Sequence, residues 1–266
     1  MKQLKLMVLT LTLLMGTMFT SCMDSGESGP QQWAGVVKVN DRMGYVTFTD
    51  AAGTELIPTN TIPVTLNARM AYIYCQVDEG QDLSTNPKSI KITLQADPTG
   101  IDATAITTPK VESSDVTTNA PVGSLSFASG YSTVAPFQFS ENTIVLPVLY
   151  RVKNVTTTED IKNELAKHTF TLVCYTDDIK SGDTILKLYL RYKVEDEPAA
   201  IAERATRTSS FKAYEISQIL REYTLKSGQT KPAKITIVAQ QNEYNNKLED
   251  TSTIEKVYEI EYKTAE

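Results

Sequence analysis

Residues Thr184 to Tyr192 read TILKLYLRY. Leu186, Leu188 and Leu190 fall at every second position, and Lys187, Tyr189 and Arg191 fill the positions between them. Successive side chains of a strand point to opposite faces, so the pattern predicts a strand with one apolar and one wet face. A sandwich sheet needs that division, with one face on the core and one toward solvent.

The reading extends outward from this strand. Thr143–Val152 alternates Ile144, Leu146, Val148 and Tyr150, and Pro147 within it predicts an edge or a bulge because proline has no N–H to give a ladder. Thr169–Tyr175, Lys234–Ala239 and Lys256–Tyr262 read as further strands. Two short helices are expected among them. Thr157 and Asp160 form a capping pattern that opens Glu159–Lys167, with Ile161 and Leu165 one turn apart. Glu215–Lys226 sets Ile216, Ile219, Leu220 and Tyr223 on one face and stops before Gly228. Glu195-Asp196-Glu197 begins a polar stretch running through Arg204 and Arg207 to Ser210, which reads as a solvated loop and a candidate partner-contact loop.

The N-terminal half has shorter strands. Trp33–Val39, Tyr45–Thr49, Leu56-Ile57, Met70–Val77, Ile90–Leu94 and Ala103–Thr107 follow one another with turn residues between, including Asp50–Gly53. So many short strands in so few residues suit a small closed barrel of the OB type. The polar run Ser113–Asn119 marks a boundary near residue 115. The predicted chain is therefore all-β, with an OB-like barrel over residues 32–114 and a β-sandwich with one or two short helices over 115–266.

Upstream, Met1–Lys5 carries two lysines and the fourteen residues Leu6–Phe19 are nearly all apolar. As a helix they would rise about 21 Å, short of the roughly 30 Å hydrocarbon layer, which fits a secretory segment better than a membrane span. Phe19-Thr20-Ser21-Cys22 then gives an apolar residue, two small residues and a cysteine, the pattern of a lipoprotein signal. Residues 1–21 are read as a cleaved signal peptide and Cys22 as the lipidated residue. Residues 22–31 are read as a polar tether rich in Ser, Gly and acids. The expected partner of this end is a membrane, with the protein on the outer membrane and displayed at the cell surface; a periplasm-facing anchor is the alternative.

The formal net charge is −6, and it becomes more negative once Lys2 and Lys5 are removed. No cluster of Lys and Arg suggests a phosphate-binding stripe, so nucleic acid is not an expected partner. His168 is the single histidine, no G-x-S-x-G elbow occurs, and a structural role is expected for this residue. Asp177, Asp178 and Asp183 lie around a turn but lack the alternating order of a calcium loop. Cys75 and Cys174 read as buried free thiols rather than metal ligands or a disulfide. No catalytic residue, metal or cofactor is assigned. Met70, Tyr72 and Tyr74 share one face of a barrel strand, and Tyr72 and Tyr74 are the ligand-binding candidates because exposed tyrosines stack on sugars. The competing reading puts that face in the barrel interior.

Several stretches together resemble the NigD-like lipoprotein family. They are WAGVVKV at 33–39, GYVTFTDAAGTELIP at 44–58, HTFTLVCY at 168–175, LKLYLRYKVEDEP at 186–198 and FKAYEISQIL at 211–220. The resemblance implies an N-terminal OB domain, a C-terminal β-sandwich and a link to bacteriocin immunity. It supplies no catalytic residues. The expected function is thus a non-catalytic lipoprotein acting as a protein-interaction module, with a glycan-binding accessory lipoprotein as the alternative.

Overall fold

The computed structural model describes residues 31–264, apart from 43–44, 61–65, 67, 82, 84–86, 113–116 and 130–131. The signal segment, Cys22, most of the tether and the boundary near residue 115 lie outside the described residues. The described residues divide into two compact units, those up to Ala103 with 128–134 and those from Thr104 to Phe127 with 135–264.

The first unit is built on β1 (Gln32–Arg42), β2 (Tyr45–Thr49), β3 (Glu55–Pro58), β4 (Met70–Val77), β5 (Ser89–Leu94) and β6 (Thr99–Ile101). Their order is β1-β2-β3-β5-β4, and β4 returns to β1, so the sheet closes into a five-stranded barrel. β3 and β5 are parallel, and the other pairs are antiparallel. β1 changes partner along its length: Gln32–Lys38 pairs with β4, and Lys38–Arg42 pairs with β2. β6 continues the edge of β4 that β5 leaves, opposite Met70–Tyr72. The interior holds Val37, Phe48, Ala71, Ile73, Cys75 and Ile92. The turn into β3 is set by Asp50, whose carboxylate accepts from the N–H groups of Ala52 and Thr54 at 2.9 and 2.8 Å. Gly53 there has φ +86°, a conformation that glycine adopts without strain.

β7 (Ala103–Ala105) begins the second unit's first sheet, and β8 (Phe127–Ser129) with β9 (Ser132–Val134) makes a separate two-stranded ribbon that, from Ala128 on, falls to the first unit. The second unit continues with β10 (Phe137–Ser140), β11 (Thr143–Val152), α1 (Thr158–Ala166), β12 (His168–Val173), β13 (Ile185–Val194), α2 (Pro198–Ala202), β14 (Thr206–Glu215), α3 (Ser217–Ser227), β15 (Lys234–Gln241) and β16 (Ile254–Glu261). One sheet runs β10-β11-β14-β7 and the other β12-β13-β15-β16, with β13 and β15 parallel. One core joins them: Ile144, Leu146 and Val148 of β11 share it with Leu186, Leu188 and Leu190 of β13. The Thr184–Tyr192 alternation is therefore realised as expected, leucines inward and Lys187, Tyr189 and Arg191 outward.

Pro147 sits where the sequence pattern placed it, on a locally open edge. β10 reaches only Thr143–Val145 of β11, and the next bonds on that side are made by Gly123 and Ser124 at Leu149. One expectation fails. Residues 206–210 are not loop; they form the first half of β14, which pairs with β11 over ten positions. Their polar sequence has no apolar period to announce a strand, and the ladder is specified by the partner. In α1, Thr157 does cap the helix by accepting from the Asp160 N–H, yet Ile161 and Leu165 are 43% and 42% exposed and the buried residue is Glu164.

Candidate functional site

Glu164 is buried because its carboxylate has four partners. It accepts from the Lys153 N–H at 2.9 Å and from Arg204 Nε and Nη2 at 2.7 and 3.2 Å. His168 Nε2 lies 3.3 Å from the same Oε1. An ionised carboxylate only accepts, so Nε2 donates, and in the neutral ring Nδ1 then accepts from the Tyr192 hydroxyl at 2.6 Å. Arg204 is 1% exposed and also meets Ala200 O and Asp196, which Lys153 and Lys167 approach at 3.3 and 3.2 Å. The network joins α1, α2 and the first residue of β12.

Electrostatics follow from this packing. Burial lowers the pKa of His168, against the opposing influence of Glu164, so the ring is neutral at pH 7. Burial alone would raise Glu164, but its bonds from Lys153, Arg204 and His168 hold it below the usual carboxylate range. Arg204, Lys167 and Lys153 hold Asp196 low as well. The single histidine and its carboxylate thus have their polar atoms committed to the protein itself. The polar stretch from Glu195, read as a solvated loop, instead delivers Asp196 and Arg204 to this network. Their side-chain contacts to one another and to Lys153, Glu164 and Lys167 span 8 to 43 residues, so no local motif announced them.

The tyrosines of β4 point outward. Ala71, Ile73, Cys75 and Val77 fill the barrel, while Tyr72 is half-buried and Tyr74 is 38% exposed. The interior reading of the tyrosine face is corrected: a small side chain and branched aliphatics fit the narrow barrel. Tyr74 donates to Gln32 Oε1 at 2.7 Å across the β1–β4 pair. Met70, expected beside them, is buried.

A second cluster lies on the outer face of β13. The rings of Tyr175 and Tyr189 are 5.1 Å apart, Lys187 Nζ sits 4.9 Å over Tyr189, and Arg191 lies 5.1 Å from the same ring. Arg191 also donates to Tyr175 OH at 2.8 Å and to Glu112 at 2.5 Å. Beside it is a cleft of about 490 Å³ lined by Tyr175, Asp178, Ile179, Asp183, Ile185 and Lys187. The nearby turn uses its acids locally: Asp183 accepts from the Lys180 N–H and Asp177 pairs with Lys226. Among the described residues no group of three His, Cys, Asp or Glu is placed to hold a metal ion. Cys75 and Cys174 are both buried and free, and burial pushes each thiol up to about 12.

A solved candidate lipoprotein from Bacteroides fragilis matches at 95% identity and TM-score 0.81, covering 89% of this chain and 100% of that one. This chain belongs to that lipoprotein family. A protein of unknown function from Bacteroides vulgatus shares the fold at 12% identity and TM-score 0.55, over 88% of this chain and 92% of its own. A NigD-like immunity protein from Bacteroides caccae aligns at 12% identity and TM-score 0.49, over 87% of this chain and 94% of its own. No protein-family model matches the sequence, and no curated protein does. For this lipoprotein, then, the reading of activity rests on its own residues.

Proposed function

We propose that this lipoprotein is a non-catalytic protein-interaction module, held to the outer membrane through lipid on Cys22 and displayed at the cell surface, acting in the manner of a bacteriocin-immunity factor. One observation carries the reading. The residues best suited to acid–base or nucleophilic work, His168, Glu164 and Tyr192, are buried and bonded to one another, while the aromatic and cationic side chains of β13 face outward. The NigD-like stretches of the sequence support the immunity role. Aromatic rings and arginine are also the side chains that most often anchor protein interfaces. Deleting the gene tests this: sensitivity to bacteriocins of neighbouring strains should rise and return on complementation. Unchanged sensitivity to every producer strain sinks the immunity role. Antibody labelling of intact against permeabilised cells separates surface display from a periplasm-facing anchor.

A second reading has its own observation. Tyr72 and Tyr74 both face outward on one barrel strand, where rings can stack on a glycan. Calorimetry on oligosaccharides should then show binding that the Tyr72→Ala, Tyr74→Ala pair abolishes.

A further inference from the structure

The registers of the second sheet set its outer face in rows. Lys187 of β13 lies beside Thr236 of β15, which lies beside Glu259 of β16. The next row is Tyr189, Val238, Val257. Two residues further on, β13 brings Arg191 and β16 brings Glu255. The face therefore has a cationic side on β13, an anionic side on β16 and an apolar middle row. Lys187, Glu255 and Glu259 are exposed and Val257 is 52% exposed, while Tyr189 is half-buried and Thr236 and Val238 of the central β15 lie buried beneath their neighbours. Lys187 has no salt bridge within the described residues, and Glu259 meets only Lys234, on the surface at 2.8 Å.

We propose that this face binds a second copy of the same chain. A two-fold axis lying between two such faces and parallel to their strands carries each side of a row onto the opposite side of the same row. β15 then lies over the second copy's β15, and β13 over its β16. Lys187 of each copy meets Glu259 of the other and Tyr189 meets Val257, so the contact is made by the flanking strands over the buried Thr236 and Val238 of β15. Every opposition is complementary, and each occurs twice, as an isologous interface requires. Stacked sheet faces sit about 10 Å apart, a gap that Lys, Tyr and Glu side chains can fill. The observation is independent of the proposed toxin or glycan partner.

The test is sedimentation of the full lipidated chain in density-matched non-ionic detergent. The expected wild-type species is a dimer at micromolar concentration. Lys187→Glu alone and Glu259→Lys alone should each weaken the dimer about tenfold or more, because each sets like charges together twice. An equimolar mixture of the two variants should restore it as a mixed pair. At one end the introduced glutamate then faces the introduced lysine, and at the other the native Lys187 faces the native Glu259. Unchanged circular dichroism and melting confirm that the variants fold. A monomer at every wild-type concentration overturns the proposal. So does a dimer indifferent to both substitutions, or a mixture that stays monomeric.

Discussion

Glu164 and Arg204 form a two-point pair in the second unit's interior, at 2.7 and 3.2 Å, with side chains 5% and 0% exposed. Removing Arg204 leaves the buried Glu164 carboxylate with only the Lys153 N–H and the neutral His168 ring, and no counter-charge away from water. Arg204→Met should therefore cost about 3–5 kcal/mol in urea unfolding. Changing both, with Glu164→Gln added, should cost less than Arg204→Met alone, because no bare carboxylate remains. A double variant as destabilised as the sum of the singles would show that the pair is not coupled.

Acid should unfold this unit in two limbs. His168 has a folded pKa below its ordinary 6.5, so on acidification the unfolded chain takes a proton first and stability falls as pH drops below about 6.5. Glu164 and Asp196 are held low in the fold, so their contribution is present above the ordinary carboxylate range and is lost as pH falls toward their depressed values. Melting temperature against pH should show both limbs in the native chain. His168→Gln should flatten the first limb and keep the second.

Thiol chemistry reads burial directly. With pKa values near 12, Cys75 and Cys174 carry almost no thiolate at pH 8. Both should resist iodoacetamide in the folded protein and alkylate quickly in denaturant, as followed by mass spectrometry. Rapid native labelling of Cys75 would mean that the barrel opens.

The two faces of β4 should respond differently to truncation. Ile73→Ala removes a buried aliphatic from the barrel and should cost about 2–5 kcal/mol. Tyr74→Phe removes only an exposed hydroxyl bond to Gln32 and should stay within about 0.5 kcal/mol. Equal costs would contradict the orientation of the strand.

At the end of α3, Gly228 has φ +77° and donates its N–H to Thr224 O. Gly228→Ala should destabilise by about 1 kcal/mol, since a Cβ strains the left-handed conformation. Thermal unfolding would report it.

These elements also show how far the amino-acid sequence could be read. Where one face of a strand is wet, period two was enough, as in Leu186–Leu190. The small barrel was legible from strand spacing, because short strands with turn residues have few other ways to close. Periodicity misleads where burial is polar. Ile161 and Leu165 stand one turn apart in α1, yet the buried residue there is a carboxylate, since Arg204 arrives from 40 residues away to satisfy Glu164. The strand Thr206–Ser210 was hidden for a related reason: its identity lies in ten pairings with β11 and not in its own residues. Tyr72 and Tyr74 were visible as a shared face, but period two alone does not say which face is inside.

The change of partner at Lys38 has a mechanical meaning. A pull entering the chain upstream of Gln32 reaches the barrel through the half of β1 that pairs with β4, across the register Gln32–Lys38. Those pairs are the ladder that joins the two ends of the five-stranded ring, and the β1–β2 ladder beyond Lys38 is loaded only after they yield. Tension along the strand would shear several bonds at once instead of peeling them singly. The ring would give first at its seam, with β2, β3 and β5 still paired.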